Sequence, residues 1–395
     1  MTNYKDLNVI NHKFTNFLHQ QPYRVCSKTI MDTSDIDISF DEDGVSNHFY
    51  NYQIFKKNIL SNNPHQEMMQ TVDRIKKLRV NDEYDCILGI SGGIDSSFLA
   101  HYATKVLGFK VLLLHIDTGW NSDIAVQNIR NIANKLNLTL HTYVLDWEII
   151  KDLQRSFFLS GVPNLDIPQD HAFTACMYNE AKENNINYIL SGGNMTAECI
   201  LPISYGYDAS DSWHLKDIHN KFGRKKLKNY PIFSLYKRLI YYPLIKSIKT
   251  FRPLDYIEYN KFEAQKILET DYGWKSYGSK HCESIFTKFF QNHYLPTKFG
   301  FDKRKAHLSS LISCGQLTRD AAIVEMKKPI YNEKELLIDK EFFIKKLDLK
   351  LSDYDKIMNA KPVLHNQYKT YSKLYNFLKK NKKAFTILKK TINKI

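Results

Sequence analysis

Ser91-Gly92-Gly93-Ile94-Asp95-Ser96-Ser97 is the stretch that decides the reading of this chain. It follows Cys86-Ile87-Leu88-Gly89-Ile90, an apolar run that reads as a buried strand. It precedes Phe98-Leu99-Ala100-His101-Tyr102-Ala103, which reads as the start of a helix. A strand, a turn of glycines and hydroxyls, and a helix N-terminus together make a phosphate cradle. Glycine lets the backbone approach an anion, and the first-turn N–H groups and helix dipole attract it. Ser91, Ser96 and Ser97 add hydroxyl donors. No Gly-Lys-Ser/Thr follows, so this is not a Walker A loop. With Asp95 in place of a lysine, a polyphosphate here needs Mg²⁺ and distant Lys or Arg for charge balance.

Working outward, residues 71–205 alternate strands and helices. Strands are expected over 84–91, 110–117, 138–146 and 186–193, and helices over 95–107, 122–136, 147–159 and 168–184. Such alternation predicts an α/β fold with a parallel sheet covered on both faces. Ligands in that architecture sit at the carboxyl ends of the strands. Those ends are Ser91-Gly92-Gly93, Asp117-Thr118-Gly119-Trp120, Asp146-Trp147 and Ser191-Gly192-Gly193-Asn194. Residues 1–70 form a polar N-terminal module. In it, Asp35-Ile36-Asp37-Ile38-Ser39-Phe40 alternates like a short strand and Asp41-Glu42-Asp43-Gly44 reads as a turn. Residues 206–395 read as a mostly helical substrate or partner region. Its last helix, about 367–392, sets Tyr371, Leu374, Phe377, Leu378, Phe385, Leu388 and Ile392 on a stripe among lysines.

Composition bounds the chemistry. Six cysteines are scattered without a CxxC pair, which suits a reducing compartment. The first residues show no signal-peptide apolar stretch, and no apolar run approaches roughly 18 residues. The expectation is a cytoplasmic protein, with the inner membrane face as a peripheral alternative. The net charge is +14, yet residues 218–254 and 361–395 each hold ten Lys or Arg and no acid. Those twenty charges leave the remainder near −6, so the core is not itself a nucleic-acid-binding surface. No nucleic acid is expected as a partner.

SGGIDSS resembles the PP-loop signature of the ATP pyrophosphatases, which split ATP into AMP and pyrophosphate while adenylating an oxygen of their substrate. That resemblance implies a Rossmann-like PP-loop fold of the adenine nucleotide alpha hydrolase type. Longer runs resemble one family, the N-acetyl sugar amidotransferases of bacterial surface-polysaccharide pathways. They include Ile30-Met31-Asp32-Thr33, Phe40-Asp41-Glu42-Asp43-Gly44-Val45, His115-Ile116-Asp117-Thr118-Gly119-Trp120 and Ile167-Pro168-Gln169-Asp170-His171-Ala172. Gly278-Ser279-Lys280-His281-Cys282-Glu283-Ser284 and Phe299-Gly300-Phe301-Asp302-Lys303-Arg304-Lys305-Ala306-His307 complete the match, which covers about residues 24–330. The resemblance implies that ATP adenylates a sugar N-acetyl oxygen, ammonia displaces AMP, and an acetamidino group results. The sugar would be a free or nucleotide-activated precursor of O-antigen, capsule or another glycan. No glutaminase signature is present. The resemblance therefore implies a separate class I glutaminase, with a cyclase-like barrel protein as a channel, to supply ammonia. One departure stands out: the family's two CxxC pairs near the N-terminus read here as Cys26, Thr29, Ser46 and Phe49. One Cys beside His48 does not make a structural zinc site, so no zinc is expected.

Combining motif and resemblance, Ser91, Gly92, Gly93, Asp95, Ser96 and Ser97 are expected to cradle pyrophosphate, with Asp95 as a Mg²⁺ ligand. Asp117, Gly192, Gly193 and Asn194 are expected near the nucleotide. Glu198 is a candidate to orient ammonia. Lys280 and Lys303 are candidates for phosphate contact and catalysis. His171, Lys216, His281, Glu283, Arg304 and His307 are candidates for the sugar. Lys303 and His307 share a helix face. Cys176 and Cys199 read as buried small apolar residues. Two other readings stay open: a tRNA-modifying PP-loop enzyme, favoured by the basic charge, and a non-catalytic nucleotide-binding scaffold, favoured by the lost cysteines.

Overall fold

Strands β1 (Cys86–Gly89), β2 (Val111–Asp117), β3 (Leu140–Val144), β4 (Tyr188–Leu190) and β5 (Lys249–Phe251) form one parallel sheet, in the order β3-β2-β1-β4-β5. They are seen in a computed structural model of the chain that describes residues 22–60, 63–277 and 283–381. Helices α1 (Asn47–Leu60) and α2 (Pro64–Leu78) precede the sheet. Helix α3 (Ile94–His101) and a π-helical turn (Tyr102–Val106) link β1 to β2, and α4 (Asp123–Leu136) links β2 to β3. Helices α5 (Trp147–Ser160) and α6 (Ile167–Glu183) lead to β4, and α7 (Met195–Glu198) and α8 (Ser212–Phe222) lie before β5. Then come α9 (Lys261–Tyr272), α10 (Ile285–Phe289), α11 (Leu295–Phe299), α12 (Lys303–Ser313), α13 (Arg319–Met326), α14 (Glu333–Lys346), α15 (Leu351–Asn359) and α16 (Ser372–Lys380).

Each of the four expected strands is present, trimmed by one to three residues at one or both ends. Their apolar alternation divides two cores between the sheet's faces. Ile87, Leu112, Leu114, Ile116 and Ile189 face the larger core, with Leu153 and Phe157 of α5 and the aromatics Phe286, Phe289, Tyr294 and Phe343. Leu88, Val111, Leu113, Tyr188 and Leu190 face the other, with Met68 and Ile75 of α2, Ile129 and Ile132 of α4, and Leu268 of α9. Helix boundaries follow local chemistry. Ser122 caps α4 by accepting from Ala125 N at 3.2 Å, and Asn137 closes it in the left-handed conformation.

The fifth strand is a finding that the sequence pattern did not announce. It is three residues long, pairs with β4 from Tyr188↔Lys249 to Leu190↔Phe251, and lies within the stretch read as helical. Residues 35–40 correct the expected short strand. They form turns, with only an isolated bridge between Phe40 and Ser46. The alternation misleads there because the acid is the anchor. Asp35 is buried and accepts from Ser204 Oγ at 2.7 Å and pairs with His48 Nε2, while Ile36 points outward. The turn at 41–44 is present, with Gly44 N donating to Asp41 O.

The N-terminal module packs by apolar contacts, with Ile30, Met31 and Ile38 against Ile200, Ala306 and Ala322, and by polar ones. Asp32 forms a buried ion pair with Lys305 of α12. Cys26 Sγ accepts from Thr29 N and Ser46 N at 3.4 and 3.2 Å. Among the described residues, no three His, Cys, Asp or Glu side chains gather as a metal centre, and no helix is long and apolar enough to cross a membrane.

Candidate active site

The strand order reverses between β1 and β4, so the crevice beyond their carboxyl ends is the switch point of the sheet. The two Ser-Gly-Gly turns sit there side by side. They share one local geometry: Gly93 N donates to Ser91 Oγ at 3.3 Å, and Gly193 N donates to Ser191 Oγ at 3.3 Å. The turns touch so closely that a Cβ on Gly192 would stand 3.1 Å from Ser96 N. Gly92 has φ +82°, and a Cβ there would stand 2.7 Å from Ala125 O. Only glycine fits either position without displacing backbone. Helix α3 starts at this turn with no side-chain cap. Ser97 Oγ is buried beneath it without a hydrogen-bond partner among the described residues. These features fit an anion at the helix N-terminus.

Asp95 is fixed from behind. Its Oδ1 accepts from Tyr259 Oη at 2.6 Å, with Asn194 Nδ2 at 3.4 Å. Asn194 also caps α7 through Ala197 N at 2.8 Å, joining the second turn to the first. Burial first, then the Asp95 charge, pushes the Tyr259 phenol upward, so it stays a donor. Trp274 Nε1 donates to Gly92 O at 2.8 Å. Arg252 Nε donates to Gly193 O at 2.9 Å and pairs with Asp255, which accepts from Met195 N.

A cavity of about 770 Å³ opens over these turns. Ser91, Gly93, Asp95, Ser96, Gly192, Gly193 and Glu198 line one side. Glu283 and the α12 residues Lys303, Arg304 and His307 line it as well. Sequence reasoning missed Lys261, Trp274, Ser276, Tyr277 and Asn292, which also line it, and the bracing residues Tyr259 and Arg252. Arg252 ends the basic segment, a hint that gave no direction. Arg304 is not a loose cation: its Nη2 pairs with Asp302 at 2.7 Å and its Nη1 donates to Lys328 O. Burial, then the Asp166 charge, pushes the Asp170 carboxyl well above the usual carboxylate range, with Lys303 opposing.

Other candidates lie elsewhere. Gly92, Ser97 and Asn194 support the cradle from below. Asp117 holds its own loop, accepting from Gly119 N at 2.7 Å and Asn121 Nδ2 at 2.9 Å. His171 is fully buried, with Nδ1 on Ala209 O at 2.7 Å and Nε2 accepting from Phe233 N at 2.9 Å. Burial lowers it to about 4, so both ring nitrogens serve the packing of a neutral imidazole. Lys216 is exposed on α8 and does not line the cavity. Lys280 and His281 lie outside the described residues. Cys176 and Cys199 are buried, and burial pushes their thiols up to about 12 and about 11.

Comparison with known proteins gives two family matches. Residues 283–382 match "LPS biosynthesis protein WbpG-like, C-terminal domain", and residues 67–161 match "NAD synthase". One of the subunits of the glutamine-hydrolyzing GMP synthase of Sulfurisphaera tokodaii is 25% identical over 146 residues. That alignment spans 33% of this chain and 37% of the relative, little more than a third of its length. Among solved structures, the NH3-dependent NAD synthetase of Campylobacter jejuni is 14% identical, with TM-score 0.32, covering 76% of this chain and 99% of that one. The NMN synthetase of Francisella tularensis is 16% identical, with TM-score 0.25, covering 59% and 95%.

Proposed function

We propose, from the premise that this chain is a WbpG-like protein of the PP-loop superfamily, that it is an ATP-dependent amidotransferase converting a sugar N-acetyl group to an acetamidino group. The observation that carries the reading is the pair of Ser-Gly-Gly turns at the switch point, facing α12 across one cavity. The uncapped start of α3, the glycine-only positions and the buried Ser97 hydroxyl suit a polyphosphate. Asp95 would hold Mg²⁺, which would neutralise charge on the departing pyrophosphate. The WbpG-like match, described by lipopolysaccharide biosynthesis, supports a sugar as substrate. The NAD synthase match and the glutamine-hydrolyzing relative support nitrogen transfer.

The proposed chemistry balances. The acetamido oxygen attacks the α-phosphorus of ATP and the bond to pyrophosphate breaks. The carbon then bears AMP as a leaving group, where an amide oxygen alone is a poor one. Ammonia adds, the C–O bond breaks, and AMP departs with the original amide oxygen while the nitrogen loses a proton. The chain's own residues mainly position and balance charge. Lys303 and His307 line the cavity from α12 and would balance the developing phosphate charge, and Glu198, which also lines it, would orient ammonia. Ammonia would come from a separate class I glutaminase, with a barrel protein as conduit.

The test is release of AMP and pyrophosphate from ATP·Mg²⁺ with ammonium across free and nucleotide-activated N-acetyl sugars. The expected product is lighter than its substrate by the difference between O and NH, and a labelled acetyl oxygen ends in AMP. Turnover that responds to tRNA and to no sugar contradicts the reading. Full-rate turnover on glutamine alone contradicts the separate glutaminase.

A further inference from the structure

The two acid-free basic segments, far apart in sequence, meet in the folded molecule. Arg238 of the first donates to Tyr371 Oη of the second at 2.9 Å and stands 4.3 Å from the Tyr375 ring centroid. Lys221 Nζ lies 4.7 Å over the Tyr368 ring. These contacts fix the residues leading into α16, and Tyr375 on α16 itself, to the body. One seam of α16 is left to solvent: Leu374 and Phe377 are 41% and 63% exposed, with Lys373 and Lys380 exposed beside them. Trp213 of α8, 48% exposed, stands edge-on to Tyr371 at 6.1 Å. The nearest acids are already engaged, Asp208 by Arg238, Asp211 by Tyr207 Oη and Tyr371 N, and Asp217 by Lys221 and Lys369 N.

What covers this seam must be anionic and apolar at once. A soluble acidic peptide would satisfy the lysines and leave Leu374 and Phe377 in water. Anionic headgroups over acyl chains satisfy both, and Trp, Phe and Leu beside lysines are the side chains that enter that boundary. The sequence after Asn381 keeps the same composition, with Phe385, Ile387, Leu388 and Ile392 among five further lysines and no acid. We propose that this end of the molecule docks on an anionic membrane surface, with Leu374, Phe377 and Trp213 entering the headgroup layer and the lysines meeting its charge. The inference does not depend on the reaction proposed above.

The test uses the full chain with phosphatidylcholine vesicles, with and without phosphatidylglycerol. Co-sedimentation is expected only with the anionic vesicles, weakening as salt rises. Tryptophan emission should shift to the blue on binding, because Trp120 and Trp274 are already buried, Trp147 is half-buried beneath Lys346, and Trp213 is exposed. Leu374→Glu with Phe377→Glu should lower the bound fraction about tenfold and remove the shift. Both sites are exposed, so its melting curve should match the parent's. Trp213→Phe should remove the shift while leaving sedimentation. No binding to anionic vesicles, binding that survives the double glutamate variant, or retention on RNA with none on vesicles overturns the proposal.

Discussion

Tyr259 donates to Asp95 Oδ1 across 2.6 Å and 164 residues of sequence, so the cradle's carboxylate is oriented by a part of the chain that carries no motif. Tyr259→Phe keeps the buried ring and removes only the hydroxyl. A stability loss of about 1 kcal/mol is expected from the missing hydrogen bond. The Mg²⁺ concentration giving half-maximal pyrophosphate release should rise roughly tenfold, because Asp95 loses its preset orientation. Mg²⁺ titrations of the two proteins decide it, and superimposable curves would reject the bracing role.

Asp32 and Lys305 form a pair that is 1% and 5% exposed by side chain, on the side of α12 away from Lys303 and His307. Burial opposes the Asp32 charge, yet Lys305 and Ser34 together hold the carboxyl below its usual range. Asp32→Ala removes the buried carboxylate partner of the Lys305 ammonium and should cost about 3–5 kcal/mol. Asp32→Leu combined with Lys305→Met should recover most of that loss, since a buried pair is often replaceable by apolar residues. Denaturant midpoints of the single and double variants test this. A double variant no better than the single would show that the charges themselves are required.

Gly92 and Gly315 both have φ +82°, but only Gly92 is crowded. Gly315→Ala should cost about 1 kcal/mol of backbone strain and leave ATP turnover intact. Gly92→Ala adds a methyl 2.7 Å from Ala125 O, so the loop or α4 must move. Turnover should fall at least about a hundredfold, the scale expected for misplacing reacting groups by an ångström. Equal effects of the two substitutions would mean that strain, and not the close approach, explains the glycine.

How much of this was legible follows from range. The sheet's first four strands and the SGGIDSS cradle rest on local patterns, apolar runs ending in Gly turns, and local patterns survive folding. Lys303 and His307 share a face because helical spacing alone puts them there. Tyr259, Arg252 and Trp274 serve the same turns from residues whose sequence shows only aromatic and basic composition. Strand β5 is too short, and too exposed at Lys249 and Thr250, to show alternation. His171 shows the converse: a histidine in a family-like run spends both nitrogens on packing. Sequence carries residue type and spacing, whereas inward or outward direction at long range is set by tertiary contacts.

Acid stability offers the last prediction. Burial lowers His171, His214 and His293 to about 4 from the ordinary 6.5, and holds His365 well below that ordinary value too. His365 Nδ1 meets His214 Nε2 at 2.9 Å, a contact that needs one ring to accept, so at least one stays neutral. These are bases whose folded pKa lies below the unfolded value, so the unfolded chain binds more protons at mildly acid pH. Their contribution is complete above about pH 6.5 and is lost as pH falls toward 4, at up to about 1.4 kcal/mol per pH unit for each histidine. Asp32 and Asp35, held low in the fold, add a second loss only below about pH 4. The melting temperature should therefore begin to drop near pH 6.5, before Asp32 and Asp35 titrate, while Asp170, raised in the fold, offsets part of the slope. His365→Gln should make that first slope shallower by about one proton while leaving the lower limb in place. A melting temperature that stays flat from about pH 7 to about pH 5 would mean the buried imidazoles are protonated in the fold, contrary to their packing.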